Sequence, residues 1–200
     1  MSNVIKEFES RVMITEEEYL NIVAFYMREY PNHRFLQNTN IYLDSDDLFL
    51  RRNHITLRVR DINDTSSELT CKIKGSNGDD EINNDISQKE RELLLNDGVF
   101  PDGMVKNYLL GLPYPLSMYH VIATLYNRRL EIKCEDHLLV IDRNAYGDVV
   151  DYNLEIETDT DIATANKIIS DYIEKFNLTL HKQKYIGKAS RAILEATKKD

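Results

Sequence analysis

The 200-residue sequence has no tryptophan and few cysteines, glycines and prolines, with two, seven and four copies respectively. So little glycine and proline excludes collagen-like and glycine-rich phosphate-cradling architectures. Cys71 and Cys134 stand apart from any CxxC or Cys/His spacing, which argues against a disulfide framework or a zinc site and predicts two reduced core thiols. We therefore expect a protein of a reducing compartment, the cytoplasm.

Long apolar runs and a surplus of positive charge are also missing. The longest apolar stretch covers residues 22–27, far short of the about 20 residues that a membrane-spanning helix needs. Charged residues occur early in the chain, so the sequence predicts no signal peptide either. The 25 Lys and Arg against 34 Asp and Glu give a net charge of -9, which disfavours nucleic acids and anionic membranes as partners.

Hydrophobic periodicity predicts a strand-dominated α+β protein in one domain over residues 1–200. Thr15 with the three glutamates after it has the spacing of a helix start, and Asp161 precedes an apolar stripe of helical period. Helices are predicted at 16–30, 101–110, 162–176 and 189–198, and a polar loop at 75–85. Alternation in steps of two predicts strands at 4–13, 40–43, 48–50, 55–60, 69–74, 121–132, 138–142 and 153–158, which favours an antiparallel sheet.

Like charges recur at every second position of several predicted strands, so each pair points to one face. The pairs are Glu7/Glu9, Arg58/Arg60, Lys72/Lys74 and Glu155/Glu157. For any single strand, a polar face in water is the simpler interpretation. However, a solvated face normally mixes opposite charges, because like charges side by side destabilise a sheet. Strands that each keep one sign therefore indicate ligands of opposite charge.

These pairs have the chemistry of a phosphoryl-transfer site. The glutamates, with Asp142 at the end of a predicted strand, suit Mg²⁺ or Mn²⁺, whereas the five histidines lack the spacing of a zinc site. The arginine and lysine pairs suit a polyanion. Metal ions and cationic side chains both neutralise charge on phosphoryl oxygens. If the strands close into a barrel with the charged face inside, the lower dielectric strengthens all of these groups.

Five motifs in chain order make the sequence resemble the CYTH superfamily, the triphosphate tunnel metalloenzymes. The N-terminal Glu7-Phe8-Glu9-Ser10-Arg11 is similar to the ExExK signature, with arginine in place of the closing lysine. The others are similar to the Asn-x-Tyr-Phe-Asp, LRxR, TxKxK and ExE stretches of that family: Asn40-Ile41-Tyr42-Leu43-Asp44, Leu57-Arg58-Val59-Arg60, Thr70-Cys71-Lys72-Ile73-Lys74 and Leu154-Glu155-Ile156-Glu157. The resemblance covers about residues 3–191.

The resemblance implies an eight-stranded antiparallel β-barrel that forms a tunnel, with helices packed outside. It implies a metal site made of Glu7, Glu9, Asp142, Glu155 and Glu157. It also implies that phosphate is bound by Arg11, Arg58, Arg60, Lys72, Lys74, Arg128, Lys184, Lys188 and Arg191. Arg128 is preferred over the adjacent Arg129 as the mid-chain arginine of the tunnel. Lys182 is a weaker candidate than Lys184 for a C-terminal cation that binds phosphate. Residues 89–92 are left open between a charged strand and a helix start.

The function implied is a Mg²⁺- or Mn²⁺-dependent hydrolase of inorganic tripolyphosphate or of a small organic triphosphate such as thiamine triphosphate. A second metal ion, or a carboxylate among Glu7, Glu9 and Glu157, would position and activate water for attack on the terminal phosphorus, so the number of metal ions, one or two, is left open. Two alternatives stay open: a class IV adenylyl cyclase acting on ATP, and a non-catalytic module that binds polyphosphate or a nucleotide. The oligomeric state is left open as well.

Overall fold

The computed structural model describes residues 3–75, 78–179 and 186–198, with residues 3–7 described by their backbone alone, and this part of the chain folds into a barrel of eight antiparallel strands. The strands are β1 (Asn3–Ile14), β2 (His33–Asp44), β3 (Ile55–Ile62), β4 (Ser66–Ile73), β5 (Asp79–Ile86), β6 (His120–Lys133), β7 (Leu138–Tyr146) and β8 (Val149–Thr158). The helices are α1 (Glu16–Glu29), α2 (Phe49–Arg52), α3 (Gln88–Asp97), α4 (Met104–Leu110), α5 (Ile162–Phe176) and α6 (Lys188–Ala196).

The barrel closes through β1, which has a different neighbour along each half. Around the barrel the order is β1-β5-β4-β3-β2-β6-β7-β8. Residues 3–7 pair with β5 and residues 8–14 pair with β8. Because side chains alternate between the two faces of a strand, Glu9 and the pairs Arg58/Arg60, Lys72/Lys74 and Glu155/Glu157 lie on the inner face, and the apolar residues between them face outward. The predicted fold class is confirmed.

Helices α1 and α5 cover the outer face of β7 and β8. Thr15 caps α1 by accepting a hydrogen bond from the Glu18 N–H at 3.2 Å, and the Glu18 carboxylate accepts one from the Thr15 N–H at 2.6 Å. Ile22 of α1 and Ala165 of α5 are fully buried against Leu139 and Leu154. Burying one such aliphatic side chain is worth about 1.5–3 kcal/mol, so this cluster fixes the strands that carry Asp142, Glu155 and Glu157.

A second apolar cluster lies outside β3, β4 and β5. Val59, Leu69 and Cys71 have no exposed surface and pack with Val105 and Leu109 of α4. Burial raises the pKa of the Cys71 thiol to about 12, which agrees with the prediction of a reduced core cysteine. The alternate residues on β3 and β4 are the cations of the barrel interior.

Helix α6 packs differently from the other long helices, because it lies against the inner face of the sheet. Ala192 and Ile193 contact Tyr42, Ala123 and Leu125. Ala123 and Leu125 have the same strand phase as Arg129, which lines the barrel interior. The apolar face of α6 therefore covers the uncharged part of the inner surface, whereas the other long helices pack outside. No helix among the described residues is long and apolar enough to cross a membrane.

Two element predictions were wrong for local reasons. The predicted strand at 48–50 is the start of α2, because the buried Asp44 carboxylate accepts hydrogen bonds from the Leu50 and Arg51 N–H groups, both at 2.9 Å. The predicted loop at 75–85 contains β5. Residues 89–92, for which the sequence left a strand and a helix start as alternatives, lie in α3. Ser87 and Glu90 form a capping box at the start of this helix. Eight strands are therefore present, but β5 takes the place of the strand predicted at 48–50.

Candidate functional site

A cavity of about 690 Å³ occupies the barrel interior. Its walls are the inner faces of β1, β3, β4, β5, β6 and β8 together with the first turn of α6. Its charged lining residues are Glu9, Arg11, Arg51, Arg58, Arg60, Lys72, Lys74, Asp79, Glu81, Arg129, Glu131, Glu155, Glu157 and Lys188. So many charged groups in a partly enclosed space favour a highly charged ligand over an apolar one.

The basic wall of the cavity is formed by β3 and β4. Arg60 donates from Nε to Asn40 Oδ1 at 3.2 Å, and its Nη1 lies 3.2 Å from Glu68 Oε1. Arg58 Nη2 lies 3.8 Å from the same Glu68 oxygen. Burial and the neighbouring Arg58 lower the pKa of Arg60 to about 10, so Arg60 is still charged at neutral pH. Two arginines sharing one carboxylate leave positive charge available to an anion.

The acidic wall is formed where β1 pairs with β8. Glu9 lies directly opposite Glu157 in the strand pairing, and Arg11 lies opposite Glu155. Arg11 forms an ion pair with Glu9, and its Nη1 lies 3.7 Å from Glu155 Oε1. Lys72 reaches across from the basic wall to within 3.4 Å of Glu9 Oε1. The two walls therefore meet at Glu9.

Behind the acidic wall lies a buried ion-pair network centred on Asp142. Arg129 donates to both Asp142 oxygens at 3.0 Å. Lys188 Nζ donates to Asp142 Oδ2 at 2.6 Å and to Glu155 Oε2 at 2.8 Å. Burial opposes ionisation, but Arg129 and Lys188 hold the pKa of Asp142 far below its usual range, and Lys188 and Arg11 outweigh burial to lower the pKa of Glu155 to about 2. Both carboxylates are therefore ionised at neutral pH.

Most of the residues predicted for the site face the cavity. Those that line it are Glu9, Arg11, Arg58, Arg60, Lys72, Lys74, Glu155, Glu157 and Lys188. Glu7 is placed by its backbone on β1, two residues before Glu9 and opposite Asp79 of β5. Lys182 and Lys184 lie outside the described residues. The binding and catalytic roles of all these residues stay predictions.

The preference for Arg128 over Arg129 was wrong. Arg129 is buried and lines the cavity, whereas Arg128 is exposed on the outer face of β6. The pairing of β6 with β7 places Arg129 opposite Asp142 and Arg128 opposite Arg143. If Arg128 faced the interior, it would lie beside Arg143 instead of a carboxylate. The strand register therefore favours burial of Arg129, which pairs with Asp142.

Two other predicted site residues lie outside the cavity lining. Arg191 donates from Nε and Nη2 to the two Asp151 oxygens at 2.7 and 2.9 Å, which anchors α6 to β8. Asp142 is fully buried and binds the two cations of the network. Asp151 has the same strand phase as Glu155 and Glu157, so Arg191 binds the inner face of β8, and its role in phosphate binding stays a prediction. For Asp142, the contacts are those of a counterion.

Sequence reasoning missed the acidic residues of β5. Asp79 and Glu81 face the cavity, and Lys72 Nζ lies 3.7 Å from Asp79 and 3.9 Å from Glu81. Burial opposes ionisation of Glu81, but Arg58 and Lys72 lower its pKa. Asp79 and Glu81 are two residues apart, but the charged Asp80 lies between them. The alternation of charged and apolar residues that identified the other strands is therefore absent here, and the polar segment resembles a loop.

The carboxylates of the acidic wall have the donor chemistry of a Mg²⁺ or Mn²⁺ site. Glu9 and Glu157 carry hard oxygen donors at opposite positions on neighbouring strands. Within the described ranges, no three His, Cys, Asp or Glu side chains are grouped closely enough to hold an ion by themselves. In this arrangement Arg11 pairs with Glu9, and Arg129 Nη1 lies 3.5 Å from Glu157. The donor set thus fits a divalent ion, but ligation requires these ion pairs to rearrange.

The fold and the site define a closed antiparallel barrel whose interior is a charged tunnel, with cations on one wall and carboxylates on the other. The CYTH domain family matches residues 6–184, and the chain belongs to this family. YjbK of Bacillus subtilis (strain 168), which carries the provisional name of a triphosphatase, is 28% identical over 151 residues, which are 76% of this chain and 76% of that protein.

Solved structures share the fold. A Bacillus halodurans protein provisionally named an adenylate cyclase aligns with a TM-score of 0.83 and 26% identity, over 94% of this chain and 97% of that one. HpAC1 from Hippeastrum, described as a candidate adenylyl cyclase with a dominant triphosphatase activity, aligns with a TM-score of 0.71 over 89% of this chain and 92% of that one. Its identity is 15%, so this second likeness shows the fold alone.

Proposed function

We propose that the protein is a divalent-metal-dependent triphosphatase. Its substrate is inorganic tripolyphosphate or a small organic triphosphate such as thiamine triphosphate, and water attacks the terminal phosphorus inside the cavity. The observation that carries the proposal is that Arg58, Arg60 and Lys72 face Glu9 and Glu157 across one enclosed space. Binding a simple polyanion needs only the cations, whereas phosphoryl transfer needs both signs of charge.

Each wall has a part in this reaction. Arg58 and Arg60 bind non-bridging oxygens through their guanidinium forks, and Lys72 adds a point charge, so that charge developing in the transition state is neutralised. Glu9 and Glu157, with Glu7, would hold the divalent ion, and a carboxylate of this group would orient the attacking water and accept its proton. When bound, the ion withdraws charge from the phosphoryl oxygens and lowers the pKa of a coordinated water.

The relatives support this activity and also favour a second candidate. The name of YjbK describes a triphosphatase, whereas the Bacillus halodurans structure carries a cyclase name. A cyclase must also bind the adenine base, usually through an exposed aromatic or apolar face. Among the described cavity residues, Phe8 and Tyr42 are each less than a tenth exposed, which leaves the His54 imidazole as the exposed ring of this lining. This lining favours the triphosphatase.

The proposal predicts phosphate release that depends on a divalent ion. Purified protein is incubated with tripolyphosphate, thiamine triphosphate or ATP, with Mg²⁺, Mn²⁺ or EDTA, and phosphate, pyrophosphate and cyclic AMP are measured. Release of one phosphate that EDTA abolishes supports the hydrolase and ranks its substrates. Cyclic AMP with pyrophosphate would support the cyclase instead. Binding without turnover would favour a non-catalytic module.

Arg58→Ala is expected to weaken substrate binding. Loss of one charge-assisted phosphate contact should raise the KM for tripolyphosphate roughly ten-fold or more, with a smaller fall in kcat. Arg128→Ala is the matched control, because it removes an arginine from the outer face of the same barrel. Equal kinetic effects of the two substitutions would contradict the placement of the phosphate site inside the barrel.

A further inference from the structure

The positive lining of the cavity extends beyond the residues assigned to the triphosphate. Lys74 follows Lys72 by two residues, and His54 precedes Arg58 by four residues. The Lys74 N–H donates to the His54 carbonyl oxygen at 3.0 Å, so these two residues lie side by side at the end of the β3–β4 pair. Two residues of an extended strand span about 7 Å. The cationic lining therefore extends about 7 Å beyond Lys72, as far as Lys74.

Arg51 also lines this outer part of the cavity, and its backbone is held in place. The Arg51 N–H donates to Asp44 Oδ2 at 2.9 Å, and the Asp44 side chain is buried. The Arg51 Nε is buried and has no hydrogen-bond partner in the described part of the chain. A buried donor without a partner is destabilising. Because this atom has no accessible surface and the Arg58 Nε is in the same state, it does not by itself mark a ligand; Arg51 belongs to the site because its side chain lines the cavity.

The neighbouring arginine shows the contrast. Arg52 points to solvent with 59% of its side chain exposed and forms an ion pair with Asp47. Two consecutive arginines on α2 therefore have different surroundings: one is neutralised on the surface and the other faces the cavity. Of these two arginines, Arg51 is the one that can contact a ligand in the barrel.

The chemistry of the outer cavity indicates what that ligand carries. Arg51, His54 and Lys74 are all able to bind an anion, and an arginine fork suits phosphate oxygens. Phe8 and Tyr42 of the described lining are buried against the protein, which leaves the small His54 imidazole as its exposed ring, so a planar organic group would find little to stack on. The part of the substrate that lies beyond the triphosphate is therefore expected to be anionic.

We infer that Arg51 binds a phosphoryl group beyond the three held by Arg58, Arg60 and Lys72, so that linear inorganic polyphosphates longer than tripolyphosphate are preferred substrates. This inference rests on the proposed function, because it extends the same chain of phosphates toward the outer end of the same cavity. Arg51 acts as a specificity-determining residue, and the acidic wall is unchanged by this assignment.

The test compares tripolyphosphate with tetrapolyphosphate. Steady-state kinetics are measured for the wild type, Arg51→Ala and Arg52→Ala, with the free Mg²⁺ concentration held constant because polyphosphates chelate it. The wild type should have a lower KM for tetrapolyphosphate than for tripolyphosphate. Arg51→Ala should raise the KM for tetrapolyphosphate roughly ten-fold and change that for tripolyphosphate little. Arg52→Ala should leave both unchanged.

Several results would overturn the inference. An equal rise in KM for both substrates would place Arg51 in the triphosphate grip, and no change would remove it from the site. A rise for ATP or thiamine triphosphate without one for tetrapolyphosphate would show that Arg51 contacts an organic group. If the wild type releases phosphate from no substrate, the proposed function fails. Calorimetric titration of the same proteins with the two polyphosphates in EDTA then tests the binding role of Arg51, because Arg51→Ala should still weaken binding of tetrapolyphosphate more than binding of tripolyphosphate.

Discussion

Glu157→Gln should lower metal-dependent turnover by at least about 100-fold while the barrel stays folded. The substitution keeps the size of the side chain and removes the charge that holds a divalent ion opposite Glu9. Even second-layer partners of a metal site change affinity or activity by about 10–100-fold, so a direct ligand should exceed that range. The Glu157 side chain is only 18% exposed, and Arg129 lies 3.5 Å away, so a modest change in stability is expected as well.

The measurement combines kcat with a Mg²⁺ titration, and circular dichroism establishes that the variant is folded. Glu131→Gln is a matched control, because Glu131 also lines the cavity and lies 3.8 Å from Arg129 but is outside the proposed metal set. It should lose much less activity and keep its Mg²⁺ dependence. Wild-type turnover in Glu157→Gln would remove the proposed metal site. Equal losses in both variants would show a general effect of cavity charge.

Asp142→Asn should destabilise the protein by about 3 kcal/mol. Removing one partner of a buried ion pair costs about 3–5 kcal/mol, because the remaining charge stays buried without compensation. We expect the lower end, since Arg129 and Lys188 both retain Glu155 as a partner. Urea unfolding followed by circular dichroism measures the change. An unchanged midpoint would show that the network does not stabilise the barrel.

The same network predicts how stability depends on pH in metal-free protein. The pKa of Asp142 is depressed in the folded state, so its contribution is fully present above the ordinary carboxyl value of about 4 and is lost as the pH falls below it. Urea midpoints should therefore fall steeply between about pH 4 and pH 2 in the wild type and less steeply in Asp142→Asn. Asp136→Asn is a suitable control, because Asp136 is 69% exposed and its loss should leave both the midpoint and its pH dependence nearly unchanged.

The assignment of Asp142 illustrates the limit of the sequence. Its residue type and its strand position suggested a metal ligand, and its position on the inner face agrees with that interpretation. What distinguishes a ligand from a counterion is the group that each oxygen contacts. In the structure those groups are Arg129 and Lys188, and Lys188 comes from a helix 46 residues further along the chain.

The arginines show the same division. Arg58 and Arg60 could be assigned from the sequence, because Leu57 and Val59 alternate with them and identify the outer face. At Arg128 and Arg129 two arginines are adjacent, so the period of two is satisfied by either one. Only the pairing with β7, which sets Arg129 opposite Asp142, decides between them. Arg51 could not have been found by alternation, since it lies on a single helical turn.

The sequence by itself determined the strand-dominated fold and the inward charges of β1, β3, β4 and β8, because side-chain alternation is a local property of an extended chain. It also identified the family through motifs whose order is readable without coordinates. Only the tertiary structure decided the membership of β5, the inward packing of α6, the choice of Arg129 and the position of Arg51. Each of these depends on which strand or helix lies opposite, and burial and charge pairing across elements distant in sequence determine that.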